Sequence, residues 1–586
     1  MNTILVTMKK FLVLLLFIAI SCNKKSNNPE NDFTTVFEIS KGKETATYEQ
    51  TIQFYKDLAD SYNQISIQEI GETDSGKPLH LVTYVASGKK ANFDKRRENN
   101  RIVLINNGIH PGESDGIDAT MMLFRDLANE KIETPKHTVI ATIPIYNVGG
   151  SLNRNSTSRT NQNGPKAYGF RGNARNYDLN RDFIKSDTKN ARAFAEIFHQ
   201  VQPDVFIDNH VSNGADYQYT LTHLFTQHNK LGGPLGNFLH TEMMPQLEEK
   251  LQDKSWDITP YVNVFNRRPE NGFSQFMDSP RYSTGYTTLY NTLGMMVETH
   301  MLKPYKQRVE GTYELMKSML QIVEAKGDTI KSLRTEQNQF WSPGESYPLT
   351  WEIDTTKSST IQFKGYEGNT IKSDLTGADR LKFDRSKPFT KPVTYQNYFK
   401  PTSEVNIPKA YIIPQGWHNV IELLKLNKVE LKQFENDTIL TVQSYKIEDY
   451  KTRQSPYEGH YLHYNTSIKT SEEAIDFKAG DYMVSTDQNA IRYLLETLEP
   501  TAPDSFFNWN FFDTILQQKE GFSPYVWEDK VKLILRANPK LQIKYNVKKS
   551  YDKDFANNWY AQLDWLHKQT PYYEKAHLQY PVYRLN

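Results

Sequence analysis

Four short, unbroken apolar runs are spaced through the first half of this 586-residue chain: RIVLINN (101–107), HTVIATIPIYN (137–147), DVFIDNH (204–210) and LGMMVETH (293–300). Helical patterns such as SDGIDATMMLFRDLANE and SDTKNARAFAEIFHQV stand between them. Strands that are apolar on both faces must be covered on both faces. The alternation therefore implies an α/β fold with a mixed, largely parallel twisted sheet flanked by helices. Ahead of the runs, YEQTIQFYKDLADSYN reads as an amphipathic helix, and ISIQEIGETDSGKPLHLVTYVA as two strands around a turn. Ligands of such sheets bind beyond the carboxyl ends of the strands.

The chain is too long for one core. The α/β pattern occupies 45–330. From TEQNQFWSPGESYPLTWEI onward, short alternating runs rich in Thr, Tyr, Val and Ile predict a β-rich domain over 331–475. The remainder, 476–586, is a mixed C-terminal region. A net charge of +1 supplies no basic field, which sets nucleic acid aside as a partner. At the N-terminus, MKKFLVLLLFIAISC (8–22) places two lysines before an apolar run too short to span a bilayer, the form of a signal peptide over 1–21. Cys22 is the only cysteine, so no intramolecular disulfide forms. Its place directly after AIS resembles a bacterial lipoprotein box. That resemblance implies acylation of Cys22, export, and a lipid anchor to the bacterial membrane on its periplasmic or cell-surface side. The polar stretch that follows suits a flexible tether over 22–44.

Chemistry gathers at the ends of the apolar runs. In INNGIHPGESDG, His110 and Glu113 lie three apart where a strand meets a turn, so that an imidazole and a carboxylate converge on one point. His210 ends another run 100 residues later and offers the third ligand of a catalytic zinc, which takes N and O donors and keeps one position open. YGFRGNARNYDLNRDF packs Arg171, Arg175 and Arg181 with Asn173, Asn176 and Asn180, a set suited to gripping a carboxylate. Asp178 among them is placed to receive the free N–H of a metal-bound imidazole. Glu298 ends the run MMVETH, where a carboxylate near a metal is a natural general base. Upstream, SPRYSTGYTTLYN carries Tyr282, Tyr286 and Tyr290 as candidates to swing onto a substrate.

In this order along residues 45–325, these motifs resemble the zinc metallocarboxypeptidases of the carboxypeptidase A type (peptidase M14). GETDSGKPLHLV is similar to a segment near the start of that family's domain, HPGE to its HxxE, and YDLNRDF to its D-x-N-R. The resemblance implies one Zn²⁺ per chain, held by His110, Glu113 and His210, with Asp178 orienting His110. It also implies that Asn180 and Arg181 bind the terminal carboxylate of a peptide, and that Glu298 acts as general base toward a water on the zinc. The family has a further arginine that polarises the scissile carbonyl. Arg171 and Arg175 compete for that role, with Arg175 preferred, and Arg171 is then a substrate-binding residue. Tyr286 is chosen as the mobile tyrosine. The implied activity is removal of C-terminal residues from peptides with a free carboxylate. Two other readings are a peptidoglycan-peptide or amide hydrolase on the same fold, and a binding lipoprotein without turnover. The pattern leaves the oligomeric state and the preferred terminal residue open.

Overall fold

The computed structural model describes residues 33–88 and 92–586; Cys22 and the signal-peptide expectation lie outside the described residues. The four apolar runs become β3 (Arg101–Asn106), β4 (Thr138–Ile143), β5 (Val205–Ser212) and β9 (Leu293–His300) of an eight-stranded sheet. The turn-linked pair becomes the antiparallel β1 (Ile65–Glu72) and β2 (Pro78–Tyr84) at one edge. At the other edge lie β6 (Leu221–Phe225) and β7 (Ile258–Pro260), giving the order β1-β2-β4-β3-β5-β9-β6-β7. The central strands β4, β3, β5 and β9 are mutually parallel, and β3, β4 and β5 are buried along their whole length, as unbroken apolar runs require.

The topology decides where a site can form. From β3 the chain passes through helix Asp115–Ala128 to β4 on one side. From β4 it returns through helix Lys189–Val201 to β5 on the other side of β3. Right-handed crossovers in opposite directions put these helices on opposite faces, and a crevice opens at the carboxyl end of β3. His110 follows that end directly. Close approach there demands a glycine: a Cβ on Gly116, in the first turn of helix Asp115–Ala128, would lie 2.3 Å from Asn209 Cβ on β5.

Three boundaries differ from the sequence expectation. Residues 35–44 are docked onto the domain rather than hanging as part of a flexible tether. Thr35 caps a short helix, Val36–Ile39, whose Phe37 is buried, and Glu38 pairs with Arg125 at 2.6 Å. The boundary at 330 falls inside helix Gly327–Gln337, which Ile330 ties to the core. The boundary at 475 falls inside β17 (His463–Phe477), which pairs with β16 (Thr438–Thr452). Their six-stranded sheet is completed by residues from the chain end: β19 (Tyr583–Leu585) pairs with β14 (Ala410–Ile413) and β16. The β-rich region is thus closed by its own last strand, and one continuous apolar core runs from Phe37 to Val582. A helical excursion, from Pro524–Ala537 to Trp559–Lys568, has a small core of its own around Trp527 and Leu566. No helix among the described residues is long and apolar enough to cross a membrane.

Candidate active site

His110, Glu113 and His210 meet at the crevice, each offering a donor atom within 4.8 Å of the others, and all three are buried. The two imidazoles present the same nitrogen inward. His110 Nδ1 lies 3.3 Å and His210 Nδ1 3.4 Å from Glu113 Oε2. Their other nitrogens face carboxylates: His110 Nε2 is 3.0 Å from Asp178 Oδ1, and His210 Nε2 is 2.9 Å from Asp208 Oδ2. An ionised carboxylate only accepts, so each Nε2 carries a proton and donates it, which turns the basic Nδ1 toward the centre. His110 Nδ1 is a buried atom without a hydrogen-bond partner among the described residues. Two inward lone pairs, a carboxylate oxygen and carboxylates behind both imidazoles form the donor set and support of a zinc site.

Electrostatics points the same way. Burial disfavours the Glu113 anion, yet His110, Arg159 and His210 hold its carboxyl well below the usual range. Burial likewise opposes ionisation of Asp178, and His110, Arg171 and Arg181 overcome it. Burial disfavours a charged His210, but Asp208, Glu113 and Glu298 push its pKa well above the ordinary value. The same anionic groups that would hold a second proton on His210 Nδ1 favour a metal cation in that place.

Glu298 is the register partner of His210 on the adjacent parallel strand, so both side chains leave the sheet on the same face. It lines a cavity of about 310 Å³ together with the three candidate ligands, Arg171, Asn180 and Arg181. Burial, reinforced by Glu113 and Asp208, pushes its carboxyl up to about 7 against the pull of His210 and Arg171. A carboxylate titrating near neutrality is suited to exchanging protons with water.

Two sequence expectations need correction. Arg175 lies outside the cavity: it is half exposed, stacked over the Tyr177 ring at 4.9 Å and donating to the Asp187 carbonyl. Arg171 is the arginine at the centre, bonded to Asp178 through Nε and Nη2 at 3.0 and 2.8 Å, with Nη1 3.7 Å from Glu113 Oε1. Tyr286 is fully buried, its hydroxyl tied to Asn427 and His199, and it does not line the cavity. On helix Ser283–Thr288 it faces inward, whereas Tyr282, one residue before that helix, turns into the cavity and lies under the Arg181 guanidinium at 4.5 Å.

Two contributors escaped the sequence reading. Asp208 stands two residues before His210, and the two-residue repeat of a strand puts both on one face, so FIDNH carried a usable signal. Arg159, 2.9 Å from Glu113 Oε1, comes from a polar loop whose composition distinguishes it from no other turn.

The chain is a peptide hydrolase by its likeness to carboxypeptidases. Residues 51–213, which include the three candidate ligands, match the family model Peptidase_M14, zinc carboxypeptidase. Among curated relatives, Carboxypeptidase 2 of Trichophyton rubrum is 22% identical over 501 residues, covering 80% of this chain and 84% of the relative. A probable carboxypeptidase 2 of Arthroderma benhamiae is 20% identical over 491 residues, 80% of this chain and 86% of that one. Among solved structures, a metallo-carboxypeptidase from Burkholderia cenocepacia aligns with 48% of this chain and 70% of its own, at 18% identity and a TM-score of 0.36.

Proposed function

We propose that the chain is a zinc-dependent metallocarboxypeptidase that removes C-terminal residues from peptides, with Glu298 as general base. The observation that carries this reading is the convergence, in one cavity, of a His–Glu–His donor set, a carboxylate titrating near neutrality and the Asn180–Arg181 pair. His110 Nδ1, a Glu113 oxygen and His210 Nδ1 would hold the zinc, which would supply Lewis acidity toward a carbonyl and a water near neutral pH.

The chain's own residues do the rest. Glu298 accepts a proton from the attacking water at a carboxylate oxygen and returns it to the leaving amine. Arg171, fixed by Asp178, offers charged N–H donors to the oxygen that becomes negative; one preorganised donor of this kind is worth about 3 kcal/mol. Arg181 and Asn180 bind the terminal carboxylate. An internal peptide bond brings no such partner, and the unpaired guanidinium then penalises endopeptidase action. The relatives' name, carboxypeptidase, accords with this reading. Anchoring of the exported chain through acylated Cys22 belongs to the same proposal, and Cys22→Ser is expected to release the protein from the membrane fraction.

The test is mass spectrometry of products from a mixed peptide library incubated with zinc-loaded protein. Stepwise loss of C-terminal residues from free acids, with C-terminal amides cleaved far more slowly, is expected. Internal cleavage, or equal attack on amides, would refute the reading.

A further inference from the structure

Four consecutive residues of the C-terminal β-rich region reach into the catalytic domain. Tyr457 and His460 bond to each other through their backbones, and between them Glu458 and Gly459 both have positive φ, +48° and +81°. This is the two-residue turn that matches the twist of a β-hairpin, and its first central position ordinarily takes Gly, Asn or Asp. A glutamate held there is strained backbone, which persists where the side chain or the surroundings fix it.

Each residue of the turn meets the loop that carries the carboxylate-binding pair. The Tyr457 hydroxyl accepts from Arg181 Nε at 3.0 Å. Glu458 Oε2 accepts from the Asp178 backbone N–H at 2.8 Å. Gly459 sits so close to Tyr177 that a Cβ would lie 2.6 Å from its hydroxyl. His460 Nε2 lies 2.7 Å from Asp187 Oδ2. Tyr457 is itself held from behind, stacked on Trp509 with the Arg281 and Arg453 guanidinium groups over its ring.

We infer that Tyr457, carried by the C-terminal region, is a positioning residue of the terminal-carboxylate subsite, fixing the Arg181 guanidinium for its ligand. The inference rests on the reading of Arg181 as the carboxylate grip. Arg181 Nε is committed to Tyr457 and Nη1 to the Asn180 carbonyl, while the Tyr282 ring supports the flat face, so Nη2 is left to meet a substrate. The choice of a hydroxyl matters. Asp178 Oδ2 already lies 4.0 Å from Arg181 Nη1; a second carboxylate in place of the hydroxyl would offset more of the charge that the substrate needs, whereas a neutral acceptor orients the cation and adds no further negative charge. The chemistry at the zinc ligands is untouched by Tyr457, so the effect belongs to binding of free acids alone. On this account the C-terminal region braces one wall of the active site from behind, through Arg181, which lines the cavity.

The experiment compares Tyr457→Phe, Arg181→Ala and the parent, each as the zinc-loaded full chain, on an N-acylated dipeptide with a free terminal carboxylate and on its C-terminal amide. Tyr457→Phe is expected to raise KM for the acid about tenfold, the effect of one hydrogen bond to a charged group. It should change kcat less than about twofold and leave KM for the amide unmoved. The acid-to-amide ratio of kcat/KM, expected to fall, does not depend on the fraction of folded enzyme, so a loss of structure cannot imitate this result. If Arg181→Ala lowers the ratio and Tyr457→Phe does not, the carboxylate grip stands and the positioning role is overturned. An equal rise in KM for acid and amide in Tyr457→Phe overturns it too. If Arg181→Ala leaves the ratio unchanged, the grip itself falls and the role of Tyr457 with it.

Discussion

At the scale of residues, each candidate ligand is held from behind before any metal arrives. Asp178 and Asp208 fix which imidazole nitrogen carries the proton, and Arg159 with the Val211 N–H fixes the rotation of Glu113. Preorganisation of this kind governs metal affinity as much as the ligands themselves do. Asp208→Asn is therefore expected to weaken zinc binding by about 10–100-fold in a chelator competition titration, with the fold retained by circular dichroism. Glu298→Gln should keep zinc yet lose about 10²–10⁴-fold in kcat, because the amide cannot shuttle the proton; near-parental activity would remove Glu298 as base. The donor residues were legible because ligands that meet in space stand at strand ends, which a sequence shows as apolar runs that stop. The choice among Tyr282, Tyr286 and Tyr290 was not legible, since burial of a side chain beside a short helix depends on what packs over it. Here that is Asn427, from another region of the chain.

At the scale of elements, continuous apolar runs identified β3, β4, β5 and β9, while β6, β7 and β8 (Phe273–Ser274) are short and gave no periodic signal. The sheet's switch point follows from strand order, which local pattern does not encode. Helix Lys189–Val201 shows how elements of the two regions are joined. Near its end His199 is buried, with Nε2 3.2 Å from the Tyr286 hydroxyl and 3.4 Å from Asn427 Oδ1. Burial lowers its pKa to about 4, against the upward pull of Asn427. The unfolded chain, with an ordinary value near 6.5, binds the proton first as pH falls. The stabilisation is thus complete above about pH 6.5 and is lost as pH drops toward 4, a change of roughly 3 kcal/mol. Urea denaturation at pH 7.5 and 4.5 should show a smaller acid loss in His199→Gln than in the parent. An equal loss in both would mean that His199 does not titrate in this range.

At the scale of the molecule, the catalytic domain and the β-rich region are one folding unit. Arg492 Nη2 donates to the Lys230 carbonyl at 2.6 Å, Arg281 pairs with Asp504 at 2.7 Å, and the apolar core crosses between them without a break. A chain ending at 337 would expose that core and leave Arg281 half-buried without its partner, so it is expected to be insoluble or molten on expression. A soluble, zinc-binding fragment would contradict the shared core. Composition shifts near 330 and 475 suggested separable domains, because sequence shows a change of local pattern and not that the last strand returns to the sheet. Zinc, binding only the folded chain, should stabilise it by about 2.7 kcal/mol at a hundredfold excess over Kd, seen as a fall in Tm on chelation. The central claim is that two histidines and a glutamate distant in sequence share one ion. Anomalous diffraction at the zinc edge from zinc-soaked crystals tests it directly. One peak is expected about 2.0–2.2 Å from His110 Nδ1, His210 Nδ1 and a Glu113 oxygen; a density map with zinc bound elsewhere and none at these three residues would contradict it.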